Sequence, residues 1–227
     1  MNFVENNRGS KVIAIAALLV AVVGLSIGFA AFSNTLKISS GATVTPDSDT
    51  FKVRFSASED TTTTAAVNAD GGETGATGTP ASINNANTEV LVEGKDAVVV
   101  PKISGLNAQF TKPGQTVTYS FWIRNDGEYV AYLKSITMGA KSCQKSEGSN
   151  ADQAKVTAAC GDITMTVKVG DVTYDATDTA ITNQSIGTDS AAPVVVTIDY
   201  AATANSPVDG PFEVSFGETS LVYSSVQ

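Results

Sequence analysis

The stretch "QTVTYSFWIRN", Gln115 to Asn125, alternates at period two. Val117, Tyr119, Phe121 and Ile123 fall on one side, and Thr116, Thr118, Ser120 and Arg124 on the other. That pattern predicts a strand with one face buried. Trp122 alone breaks it, so its ring either packs under neighbouring chain or marks a contact surface. Outward from this strand the same signal recurs at Phe51 to Ser56, Glu89 to Val92, Ala97 to Ile103 and Tyr129 to Met138. It returns at Ile163 to Val169, Val194 to Tyr200, Phe212 to Phe216 and Leu221 to Val226. Short β-branched and aromatic runs separated by Gly, Pro, Asn and Asp predict an all-β fold, an antiparallel β-sandwich of jelly-roll or immunoglobulin-like type. "KVGDVTY", Lys168 to Tyr174, predicts a hairpin turning at Gly170-Asp171. Only Ser149 to Ala158 suggests a short helix. Residues 57–87 are rich in Thr, Ala, Gly and Asn and poor in large apolar side chains, which predicts a long exposed loop.

The first thirty residues differ in kind. Met1 to Lys11 is polar, and Val12 to Phe32 then carries no charge. This order matches a secretory signal, yet the apolar run is long enough to span a bilayer as a helix. Two outcomes follow for residues 1–30: a removed signal peptide or a retained anchor at 12–32. Small side chains at Gly28 and Ala30 suit a signal peptidase cutting before Ala31. Residues 31–227 are then expected to form one sandwich domain.

The chain of 227 residues carries a net charge of −9. Removing Met1 to Ala30 takes away Glu5, Arg8 and Lys11, leaving 12 bases against 22 acids and a charge of −10. Such a surface disfavours nucleic acid and anionic lipid as partners, since both need cationic patches. Contact with a membrane is expected only through 12–32, if that segment is uncleaved. Histidine is absent from the chain, which removes the commonest general base and the commonest transition-metal ligand. The two cysteines, Cys143 and Cys160, are expected to pair in an oxidising compartment.

Signs of chemistry are sparse. Ser142 to Lys145 reads S-x-x-K, but the S-D-N and K-T-G partners of penicillin-recognising enzymes are missing, so a polar turn is the simpler reading. Asp171, Asp175, Asp178 and Asp189 offer oxygens for a hard cation, without the ordered spacing of an EF-hand. No catalytic residue, cofactor or metal is assigned, and the chain is read as a non-enzyme.

Two segments resemble the TasA/camelysin-type surface proteins of Gram-positive bacteria, which include fibre subunits of biofilm matrix. One is Phe29-Ala30-Ala31-Phe32-Ser33-Asn34 at the end of the apolar run. The other is "FTKPGQTVTYSFWIRNDGEYVAYLKSITM", in which Pro113, Gly114, Phe121, Asn125, Gly127 and Ala131 hold the matching positions. Together they cover about 40 residues. The Thr/Gly-rich segment, the cysteine pair and the few lysines depart from the better-known fibre subunits. Independently of the resemblance, cleavage before Ala31 frees "AFSNTLKIS", whose Phe32, Leu36 and Ile38 share one face of a strand. Such a strand either folds back on its own domain or adds to the edge of a neighbour and builds a head-to-tail filament. The resemblance implies the second, with the chain outside the cell or at the surface of a Gram-positive bacterium. The expected function is therefore a structural subunit of an extracellular fibre or biofilm matrix that self-associates by donor-strand addition. The alternative is a surface binding or adhesion domain, or a pilus-like filament, that keeps its N-terminal helix.

Overall fold

The computed structural model describes residues 50–60, 65–85, 91–93, 96–176, 181 and 184–227. The chain divides into two compact units, Met1–Val44 and Thr45–Gln227, and every described residue belongs to the second. That unit is an antiparallel β-sandwich. Its one α-helix among the described residues is α1 (Gln153–Ala159), inside the Cys143 to Cys160 loop.

The alternation at Gln115–Asn125 forms β8 (Thr116–Asn125), with Val117, Tyr119, Phe121 and Ile123 buried as expected and Asn125 buried beside them. One partner of β8 is β14 (Ser190–Tyr200), which in turn pairs with β11 (Ile163–Val169). β11 then turns at Gly170-Asp171 into β12 (Val172–Asp175), the expected hairpin. On its other side β8 is lined along part of its length by β1 (Val53–Ser56) and further back by β2 (Ala69–Asp70). Trp122 is half-buried on the outer face, standing across from Ser56 on one side and Pro193 on the other.

Three bent segments make the opposing layer. The first holds β5 (Asp96–Val99), β6 (Lys102–Ser104) and β7 (Asn107–Phe110). The second holds β9 (Ala131–Thr137) and β10 (Lys141–Lys145), and the third β15 (Phe212–Phe216) and β16 (Thr219–Ser224). β15 lies between β10 and β7, and β16 lies between β9 and the β5–β6 segment. Backbone bonds continue across the bend, from Phe216 N–H to the Leu106 carbonyl (2.9 Å) and from Gly217 N–H to the Ala140 carbonyl (3.0 Å). Gly139 and Gly217 allow it: a Cβ on Gly139 would lie 2.1 Å from the Gly217 carbonyl, where no side chain fits. Shorter strands add to this layer's margins. β4 (Leu91–Glu93) pairs with β5, β3 (Ser82–Asn84) with β6, and β13 (Ser185–Ile186) with β9.

The inward faces meet in an aromatic core. Phe55 packs edge-on against Phe121 at 4.9 Å between centroids, and Tyr200 meets Phe110 and Phe212 at 5.7 and 5.3 Å. Such contacts add to the burial of large apolar areas that holds the layers together.

One expectation is corrected here. Residues 57–87 do not behave as an exposed loop along their described part: they contain β2 and β3 and bury Val67, Ala76, Ala81 and Ile83. Few apolar residues suffice because polar groups of the sandwich tie the segment down. The Tyr119 hydroxyl lies 2.9 Å from the Thr79 carbonyl, and the Gln115 amide donates to the Thr74 carbonyl at 2.9 Å.

Candidate functional site

The edges of a β-sandwich are candidate contact sites, because backbone groups there can lack partners. The edges differ in how they are finished. β10 pairs on one side only, with β15, and presents the short, largely exposed run KSCQK. Its other side is covered by α1. Asp152 caps that helix by accepting from Ala154 N–H at 2.8 Å, which places Gln153 at the first helical position. The Gln153 side chain then reads β10 as a strand would. Its Oε1 accepts from Lys145 N–H at 3.0 Å, and its Nε2 donates to the Cys143 carbonyl at 3.4 Å. The Cys143–Cys160 disulfide, with Cα atoms 5.9 Å apart, ties the end of the helix to the same strand. Val156 and Ala159 seat it on the core.

β9, further along the same margin, is covered by β13. Asn125 secures this cover: it is wholly buried, and its Nδ2 donates to the carbonyls of Tyr129 (2.7 Å), Ile186 and Gly187 (both 3.1 Å). Its Oδ1 accepts from Gly127 N–H at 3.1 Å. The same corner receives the chain arriving from the N-terminal side. Asp126 N–H bonds to the Lys52 carbonyl and Glu128 N–H to the Thr50 carbonyl, while Arg54 pairs with Asp126 at 2.6 Å.

Between the two covers lies a groove of ≈ 350 Å³, lined by Met138, Ile163, Met165 and Phe216 with Lys141 and Asp175 at its rim. Ile163, Met165 and Phe216 are buried. Their neighbour Met138, at the bend, is half-buried. The opposing layer is stepped here, because β12 ends at Asp175 opposite Thr166 and β11 continues back to Ile163. Lys141 bridges the layers by donating from Nζ to the Ile163 carbonyl at 2.6 Å. Burial lowers the Lys141 pKa from its ordinary value, and nearby Asp162 opposes that shift.

The expected site residues distribute as follows. Cys143 and Cys160 form the expected disulfide. Gly28, Ala30, Ala31, Phe32, Leu36 and Ile38, with the apolar segment 12–32, lie outside the described residues. Among the described residues no helix is long and apolar enough to cross a membrane, and no group of three or more acids or cysteines is placed to hold a metal. Asp171 stands in a turn and Asp175 on β12; Asp178 lies outside the described residues. Ser142 and Lys145 sit three apart on β10, so strand alternation turns them to opposite faces and no Ser-Lys pair forms between them. The polar residues that finish the edges, Asn125 and Gln153, and the methionines of the groove carry no sequence pattern of their own. Only the Asn125 and Gly127 positions of the resemblance and the short helix expected within Ser149 to Ala158 pointed toward two of them.

No family model, curated protein or solved structure matches the chain. Among the described residues, the fold and site define a disulfide-bonded β-sandwich with covered margins and an apolar edge groove.

Proposed function

We propose that the protein is a structural subunit of an extracellular fibre or matrix, assembling through the strand-like segment Ala31–Ser39. The observation that carries this reading is the boundary of the sandwich unit. It begins at Thr45, so Ala31–Ser39, with Phe32, Leu36 and Ile38 on one face, falls outside it. A segment whose apolar residues share one strand face suits strand exchange between copies, and a contact of that heterologous kind propagates into a filament. The lack of histidine throughout the chain agrees with a structural role.

The test is assembly by the processed chain and by a variant carrying Leu36→Asp and Ile38→Asp, followed by sedimentation velocity and negative-stain microscopy. The reading predicts filaments from the first and monomers from the second. Filaments of equal length from both would overturn the role of the strand, and monomers from both at every concentration would overturn the function.

A further inference from the structure

We propose that the outer sheet face around Trp122 is a binding platform for a neutral polysaccharide. It uses none of Ala31–Ser39 and stands independently of the assembly reading above.

Trp122 carries the first argument. It is the only tryptophan of the chain, and it sits mid-sheet on β8, opposite Ser56 of β1 on one side and Pro193 of β14 on the other. Alternation turns it away from the core that Phe121 and Ile123 enter. Ser56 is fully buried, Trp122 half-buried and Pro193 exposed. Neighbouring strands lie about 4.8 Å apart, so the indole and the proline ring make a short apolar strip. The face beside it is rich in hydroxyls. Ser120 is exposed two positions along β8, and Thr118, Thr197 and Thr166 stand in one cross-strand row two positions further.

The arginines carry the second. Apart from Arg8 the chain has only Arg54 and Arg124, and the fold sets these two directly opposite each other next to Trp122. Like charges so placed destabilise a strand pair. Asp126 offsets this by holding both, its Oδ2 accepting from Arg54 Nε at 2.6 Å and its Oδ1 from Arg124 Nη2 at 3.2 Å. Arg124 also donates to the Glu59 carbonyl, which brings the chain that follows β1 alongside. The cluster stays open to solvent, with Arg54 at 25% exposure and Arg124 and Asp126 at 19%. Among the described residues Arg54 spends only its Nε, so its two terminal nitrogens remain as donors beside the Asp126 carboxylate. Their positions are fixed before a ligand arrives, which lowers the entropy cost of binding.

This combination selects the ligand. A sugar ring lays its C–H face on an indole, and its hydroxyls both donate and accept. The Trp122–Pro193 strip meets the first need; Arg54, Asp126 and Ser120 meet the second. An anionic polymer would need unpaired cations, whereas Asp126 engages both arginines and the chain is at −9. A stable protein partner needs about 800 Å² per side around a buried apolar centre. Here the apolar strip is two residues in a field of threonine. Repeated units along a polysaccharide suit so small a platform, because several copies can engage one polymer.

Since Trp122 is the only tryptophan, its emission reports on the site directly. The full chain recovered from expressing cells is titrated with three neutral glucans: dextran, laminarin and hydroxyethylcellulose. Polyglutamate and carboxymethylcellulose serve as anionic polymers. The expected result is a saturable shift in emission with at least one neutral glucan, unchanged between low and high salt. In affinity electrophoresis, Trp122→Ala is expected to weaken that binding about ten-fold, and Trp122→Tyr to weaken it less. Arg54→Gln, which leaves the indole in place, is also expected to weaken it. Unchanged emission of the unmodified chain with all three glucans would overturn the proposal, however the variants fold. A response to the anionic polymers alone would overturn neutral polysaccharide as the ligand. Binding by W122A at full strength would overturn Trp122 as its platform. The assembly test above can fail without affecting any of these results.

Discussion

Asn125 shows how much one side chain can organise. It bonds three carbonyls and one N–H from two stretches of chain, the turn at 127–129 and residues 186–187, all at a wholly buried position. Asn125→Ala leaves these groups short of partners in a site that water does not reach readily, and each such group costs about 1–3 kcal/mol. The variant is expected to lose about 3 kcal/mol of unfolding free energy, read as a lower denaturant midpoint at unchanged slope. Three tyrosines set the alkaline limit. Burial raises the pKa of Tyr119, Tyr200 and Tyr223 above the ordinary 10.0; for Tyr223 the facing Tyr174 adds to the rise. Because the folded values exceed the unfolded ones, the stability they confer is fully present below pH 10 and is lost as pH rises beyond it. Lys141, whose pKa burial lowers, works in the opposite sense, favouring the fold as pH rises toward 10.5. Its exposure keeps that effect small. Denaturant midpoints taken on either side of pH 10 are expected to fall on the alkaline side, and Tyr223→Phe is expected to reduce the fall. At this scale the sequence was readable where a residue obeys a period, as with Val117 to Ile123. It was silent where a polar side chain acts on a distant backbone, as Asn125 does on Ile186 and Gly187, 61 and 62 residues away.

The elements divide between strands that pattern reveals and covers that it does not. β8, β11, β14 and β15 are legible because each buries one face against the core. β10 is not, since KSCQK shows no apolar alternation and pairs only because β15 and the bend bring it there. Residues 57–87 were misread for a related reason: composition counts apolar side chains and misses anchors such as Tyr119 and Gln115 that belong to other strands. The Cys143–Cys160 bridge spans 17 positions. Replacing both cysteines with serine is expected to cost about 3 kcal/mol in the chain-entropy description, seen in the same denaturation assay. Gln153→Ala is expected to cost only about 1 kcal/mol for its side-chain bonds. By uncovering the β10 edge it should increase irregular association, which light scattering would detect. The bend makes a sharper demand. Gly139→Ala forces a methyl group to within 2.1 Å of the Gly217 carbonyl, so this change is expected to destabilise more than an average substitution, by over 2 kcal/mol.

At the scale of the whole molecule, the sandwich receives its chain at one corner and opens an apolar groove toward the opposite end and margin. The other stretches of that margin are covered by β13 and by Gln153. The fold class was legible in the sequence because period two runs through the chain. The groove was not, because it arises where β12 stops short of β11 and the other layer bends at Met138 and Gly139, which are tertiary events. The central claim is that a freed Ala31–Ser39 strand makes this domain a polymer subunit. It is tested most directly by separating the protein released from expressing cells by size and reading the intact mass and N-terminal sequence in each fraction. The account predicts that the polymeric fraction consists of chains beginning at Ala31. Polymer made of chains that retain 12–32, or chains beginning at Ala31 found only as monomers, would contradict it.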